Sequence, residues 1–155
     1  MAILDANTQL ASSYSPTTGT QYNGTYLDTG ALYDWGMGRD WIWYIQIVAT
    51  FTVGTSLQLQ LQGNNTDPTF AAGTNVIILD TGAVAEASLL INAEFKFKVP
   101  RIPTYANAAL ATNNYRYIRI KNITVGTHTL GTYSSWLTLD AVQDNLPAAA
   151  GYTVK

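Results

Sequence analysis

Two short runs, SLQLQLQ at residues 56–62 and EFKFKV at 94–99, alternate apolar and polar residues with a period of two. That period belongs to a strand with one dry face and one wet face, and no helix can satisfy it. Leu57, Leu59 and Leu61 are expected to point into a core while Gln58, Gln60 and Gln62 meet water. Phe95, Phe97 and Val99 are expected inside, with Glu94, Lys96 and Lys98 outside. A one-residue slip would exchange the two sets, so the pattern also specifies register. Helical spacing is nearly absent. Its best instance, residues 83–92, puts Val84, Ala87 and Leu90 or Ile91 at helical intervals for about three uncapped turns, and predicts a loop or one short helix.

Further strands follow from residue type. WIWYIQIVATFT at 41–52 is aromatic and β-branched, long enough for a strand of about 40 Å, with Trp41, Trp43, Ile45, Ile47 and Phe51 on one face. In YRYIRIK, Arg116, Ile118 and Ile120 share one side and Tyr117, Arg119 and Lys121 the other, while WLTLD places Leu137 and Leu139 together. With the runs near 25–28, 76–80, 123–125 and 128–133, the count is about eight strands. That predicts an all-β, antiparallel, jelly-roll-like β-sandwich. The first 24 residues, rich in Ser, Thr, Gly and Asn and without period, predict an extended N-terminal arm or loose lead-in, and 25–155 a single domain.

A chain of 155 residues can bury roughly two-thirds of its unfolded surface without crosslinks. Its net charge of −2, with 12% charged residues, gives little long-range pull on a polyanion. Protein or sugar is the expected partner, without direct nucleic-acid contact. There is no cysteine, hence no disulfide or thiolate metal site. MAILDANTQL lacks a basic start followed by an apolar run, so no secretory signal is expected, and no stretch nears the roughly 18 apolar residues that read as a membrane span. The sequons at Asn23, Asn64 and Asn122 read as chance matches in a threonine-rich chain.

The pentapeptide LDTGA occurs twice, at Leu27 and again at Leu79. Asp-Thr-Gly is the fingerprint of aspartic proteases, whose two aspartates must lie close enough to share one proton. Asp28 and Asp80 are too near in sequence for each to occupy its own lobe of around 100 residues. A dimeric variant needs only one copy, and its later apolar pair is replaced by Ile123-Thr124-Val125-Gly126. Two strands each ending in an Asp-Thr-Gly turn are expected instead, with the protease a remote alternative.

Other chemistry is sparse. His128, the single histidine, is expected on a surface or strand, and no catalytic, cofactor or metal residues are predicted. No Gly-x-Ser-x-Gly is present. GMGRD precedes a strand, so no helix N-terminus could hold an anion there. Six of the eight cations, Lys96, Lys98, Arg101, Arg116, Arg119 and Lys121, fall in one stretch and suggest a basic protein-docking patch.

Several blocks together, LDTGALYDWGMGRDWIWYIQIV, FKFKVPRIP, RYIRI and WLTLDAVQDN, resemble the small β-sandwich capsid cement (decoration) proteins of tailed bacteriophages, of the podovirus type. The likeness spans most of residues 27–145. It includes the turn around Asp34 to Gly38 before a long strand and the Leu-Thr-Leu-Asp followed by glutamine near the C-terminus. The chain departs from the pattern at 12–24 and 106–114. The resemblance implies a jelly-roll-like homotrimer on the outer surface of the virion head, over the major capsid protein, with no catalytic residues. Asp34, Trp35, Arg39, Trp41, Tyr117, Arg119, Lys121 and Trp136 are the expected capsid or subunit contacts, since aromatic and arginine side chains dominate such surfaces. A carbohydrate- or receptor-binding β-sandwich is the alternative, because exposed Trp and Tyr also stack on sugars.

Overall fold

In a computed structural model the protein is described over residues 8–28, 41–64, 66–71, 75–99 and 116–139. Nine strands follow in chain order: β1 (Gln9–Tyr14), β2 (Thr20–Tyr22), β3 (Leu27–Asp28), β4 (Trp41–Thr52), β5 (Ser56–Asn64), β6 (Val76–Ala85), β7 (Glu94–Lys98), β8 (Tyr117–Val125) and β9 (Leu130–Leu139). β3 is a short addition to β8. The remaining eight pair first with last, second with second-last and so inward: β1 with β9, β2 with β8, β4 with β7 and β5 with β6, all antiparallel. This nesting is one long hairpin rolled upon itself. Lateral pairing of β4 with β9 and of β5 with β8 divides the roll into two sheets, ordered β1-β9-β4-β7 and β2-β8-β5-β6. The architecture is the expected jelly-roll sandwich.

The inward faces supply the core. Trp43, Ile45, Ile47 and Phe51 of β4 meet Leu57, Leu59 and Leu61 of β5, Ile118 and Ile120 of β8, and Tyr133 and Leu137 of β9. All are 4% exposed or less, and burial of each large apolar side chain contributes about 1.5–3 kcal/mol. The Trp43 indole N–H, buried among them, donates to Ser135 Oγ at 2.8 Å. The alternation in β7 holds, but because β7 is an edge strand Phe95 and Phe97 are only half-buried.

Several expectations need correction. The lead-in is no loose arm over its described part: β1 lies on β9, β2 on β8, and Leu10 and Ala11 are fully buried in the core. Two neighbouring residues of β1 can both face inward because the β1–β9 register shifts between Gln9 and Ala11, which breaks the period a sequence scan looks for. The runs 117–121 and 123–125 are one strand, β8, as are 130–133 and 136–139 in β9. Arg116 precedes β8 and is exposed, instead of sharing the face of Ile118 and Ile120. β6 continues to Ala85, and only a single 3-10 turn, Glu86–Ser88, follows it.

The wet face of β5 is also not wet. Gln60 and Gln62 are 7% and 4% exposed. Their amides satisfy one another: Gln62 Nε2 donates to Gln60 Oε1 at 2.9 Å, and Gln60 Nε2 to Asp80 Oδ2 at 2.8 Å. Tyr22 closes the row by donating to Gln62 Oε1. A polar residue in a strand can therefore be buried when its neighbours on adjacent rungs supply its hydrogen bonds.

Candidate functional site

The two aspartates of the repeated LDTGA are held differently, with Thr29, Gly30 and Ala31 of the first copy outside the described residues. Asp28 ends β3 opposite Tyr117 and pairs with the exposed Arg116, Oδ1 to Nε 3.0 Å. Asp80 lies inside β6, where Thr81 and Gly82 together oppose Leu59 alone, so this copy is a β-bulge and not the turn expected at a strand end. Gly82 takes a φ of +67°, the left-handed conformation that favours glycine. Asp80 accepts from Gln58 Nε2, Gln60 Nε2 and the Gly82 N–H, each within 2.9 Å, and Thr81 Oγ1 accepts from Leu59 N–H. Burial opposes ionisation of Asp80, but these donors outweigh it and hold the carboxyl below its ordinary range. β8 and β5 stand between the two aspartates, which are also offset along the strands, so they lie roughly 20 Å apart. They cannot share a proton.

The expected contact residues that are described do not share one face of the sandwich. Asp34, Trp35 and Arg39 lie outside the described residues. Trp41 faces inward and packs half-buried on the core. Trp136 is on the outer face of the four-stranded sheet, its ring 5.7 Å from Tyr44, over which Lys96 Nζ sits at 5.5 Å. Tyr44 is buried and its hydroxyl bonded to Glu94, so the pair is no open stacking platform. Burial, with the Glu94 bond, pushes the Tyr44 phenol well above its usual range, while Tyr44 and Lys96 hold Glu94 below its own.

Tyr117, Arg119 and Lys121 share the outer face of the other sheet. Tyr117 is nearly buried, edge-on to Tyr26 at 5.7 Å and under the Arg116 guanidinium at 4.9 Å. Arg119 serves as a clamp. It donates to Asn23 O, to Thr69 O at 2.9 Å and to Pro68 O at 3.4 Å, and lies over the Tyr22 ring at 5.5 Å. It thereby ties the 66–71 loop, whose Phe70 stacks on Tyr22, to the sheet. Burial lowers its pKa. Of the three, Lys121 alone keeps a cation with no partner among the described residues.

The three sequon asparagines are buried: Asn23 1%, Asn64 0% and Asn122 0% exposed. Asn122 Nδ2 donates to Asn23 Oδ1 at 2.6 Å, Asn23 Nδ2 to Leu10 O at 3.1 Å, and the Tyr133 hydroxyl lies within 3.0 Å of both Oδ1 atoms. Asn64 folds its own loop, accepting from the Thr66 and Asp67 N–H groups. None presents an amide to a glycosylating enzyme while the protein is folded. Burial raises the Tyr133 phenol far above its usual range. His128 is likewise interior, contrary to expectation. It is 2% exposed, with Nε2 3.2 Å from Ser56 O, Nδ1 unpartnered, and its ring edge-on to Phe51 at 5.2 Å.

Inspection of the sequence missed one surface. The loops β1–β2, β4–β5, β6–β7 and β8–β9 meet at one end of the sandwich, joined by bonds from His128 N to Thr17 O, Thr55 N to Val125 O, Glu86 N to Thr55 O and Thr129 N to Thr52 O. There Val53 is 73% exposed, Leu130 65%, Ile91 58%, and Leu90 and Val125 54% each. Val53 holds a φ of +73°, a strained conformation for a β-branched residue, with its N–H bonded to Glu86 Oε1 at 3.1 Å. Glu86 is the only charged residue in these four loops. The signal available in sequence was the presence of Val53, Leu90, Ile91 and Leu130 in or beside turns, where apolar residues are not expected.

No protein family matches the chain, and no curated protein matches it either. Among the described residues no group of three or more His, Asp or Glu is arranged to hold a metal ion.

Proposed function

We propose that this chain is a structural virion protein: a cement protein that binds the outside of a tailed-phage head as a homotrimer, over the major capsid protein, and stabilises the shell against internal DNA pressure. The observation that carries this reading is the loop end, at or beside which five apolar side chains are exposed, with a single charge in its four loops. A surface of that kind matches another protein and not a polyanion. The resemblance of the blocks 27–48, 95–103, 116–120 and 136–145 to the cement family is what supports a capsid protein as that partner.

Convergence matters to the mechanism. Loops from four connections can touch more than one capsid subunit at once, so the complete contact exists only on the assembled lattice. Binding the lattice and not free subunits stabilises the lattice by mass action, about 2.7 kcal/mol per site at a hundredfold excess over Kd. Lys121 is retained as a steering charge, and Arg119 is not, because its guanidinium is already spent on the fold.

The test uses expanded heads lacking the protein. Adding it back is expected to raise the temperature at which DNA is released, and a Val53→Asp/Leu130→Asp variant is expected to fold but fail to do so. Heads that lose DNA at the same temperature with and without the protein would remove the cement role. Light scattering addresses the trimer separately: a stable monomer at micromolar concentration would refute it.

A further inference from the structure

Among the described residues the two sheets have four edges, and three are poor templates for further pairing. β1 has six residues and two register irregularities, β2 and β3 have three and two residues, and β7 has five with Glu94, Lys96 and Lys98 pointing out. β6 differs. It has ten residues, no proline and no lysine or arginine, and it contains the run Val-Ile-Ile-Leu with Ile77 51% exposed. Segments of this kind on an open edge invite pairing with an identical strand.

What interrupts β6 is its irregular register, at Ile78 and at Thr81-Gly82. Only the second irregularity is held by side chains, and Asp80 is at its centre. It binds the Gly82 N–H on its own strand and the amides of Gln58 and Gln60 on β5. Gln60 is anchored in turn through Gln62 to Tyr22 on β2, at the far side of the sheet. We infer that Asp80 is a latch that keeps the β6 bulge formed, and that the bulge prevents β6 from pairing edge to edge with β6 of a second copy of this chain. Loss of the carboxylate lets residues 79–85 straighten and leaves the edge interrupted at Ile78 alone.

The experiment compares wild type with Asp80→Ala by sedimentation velocity across a concentration series, with amide hydrogen exchange on residues 76–85. Asp80→Ala is expected to sediment faster than wild type, increasingly so with concentration, and its 76–85 amides are expected to gain protection. Adding Ile77→Lys, a charge on the same edge, is expected to return sedimentation to the wild-type value. Should Asp80→Ala fail to fold, Gly82→Ala decides: its Cβ meets nothing within 4 Å, yet it must hold the left-handed φ, so it strains the bulge without deleting a bond. A folded Asp80→Ala, or failing that Gly82→Ala, that sediments as wild type overturns the inference. So does assembly that Ile77→Lys leaves unchanged. The baseline is the wild-type assembly state whatever it is, so this result is independent of the trimer.

Discussion

Gly54 and His128 should form a lock that can be opened only from both sides. A Cβ built on Gly54 would lie 2.6 Å from His128 Nε2 and closer still to Cε1 and Nδ1. Ordinary carbon contacts begin near 3.5 Å, so the imidazole would have to retreat by about an ångström or more. It has little freedom to do so, being 2% exposed, set against Phe51 and bonded to Ser56 O. The Gly54 backbone is itself compatible with alanine, since its φ is outside the left-handed region. Gly54→Ala is therefore expected to cost about 3 kcal/mol, the upper range of overpacking. His128→Ala removes a buried ring and its hydrogen bond, also for about 3 kcal/mol. In the double variant the new methyl occupies vacated space, so its total should stay near that of His128→Ala alone, leaving a coupling energy of about 3 kcal/mol. Urea unfolding followed by tryptophan fluorescence, at one fixed protein concentration, measures all four corners of the cycle. Additive single effects would refute the reasoning, because they would mean that the ring is not what excludes a side chain at Gly54.

Tyr133→Phe removes the donor to Asn122 Oδ1, while Asn23 Oδ1 keeps the Asn122 amide, and should cost about 1–3 kcal/mol in the same assay. Phe97→Ala is expected to cost about 2 kcal/mol, less than a fully buried aromatic because β7 is an edge, while Lys96→Ala should cost under about 1 kcal/mol; comparable losses would put the strand faces the wrong way round. Asp80 titrates below its ordinary range when folded, so its bonds contribute fully above that range and are lost as pH falls through the folded value. Between pH 5 and pH 2 the wild type should therefore lose more stability than Asp80→Asn, and equal losses would count against the bonded carboxylate.

The leucines of β5 and the phenylalanines of β7 declared their faces because a strand with one apolar side leaves a period that survives folding. The glutamines misled because polarity marks a residue as needing partners, not as needing water. Gln60 and Gln62 find those partners on neighbouring rungs. β1 was illegible for a related reason: its register shift places Leu10 and Ala11 on the same side, and no alternation remains to be read. The seat of His128 against Gly54, and the gathering of Val53, Leu90, Val125 and Leu130 at one end, depend on loops far apart in sequence. Only the strand order brings them together. Of the expected contact residues, Arg119 shows the limit most clearly, since a cation on an outward face looks the same in sequence whether it is free or bonded to three carbonyls.

The nested pairing also governs when this fold can come into being. β9 lies between β1 and β4, so the four-stranded sheet has no interior until the last described strand has been made. On the ribosome the β5–β6 hairpin can close early, but the indole of Trp43, whose hydrogen-bond partner is Ser135, must wait for β9. Folding must thereby wait for β9, and the waiting chain holds β4 with one flank open to unintended partners. A ribosome stalled before residue 130 would present that flank for as long as it paused. Emergence of β9, more than the propensity of any strand, is then the event that commits the molecule to its final form.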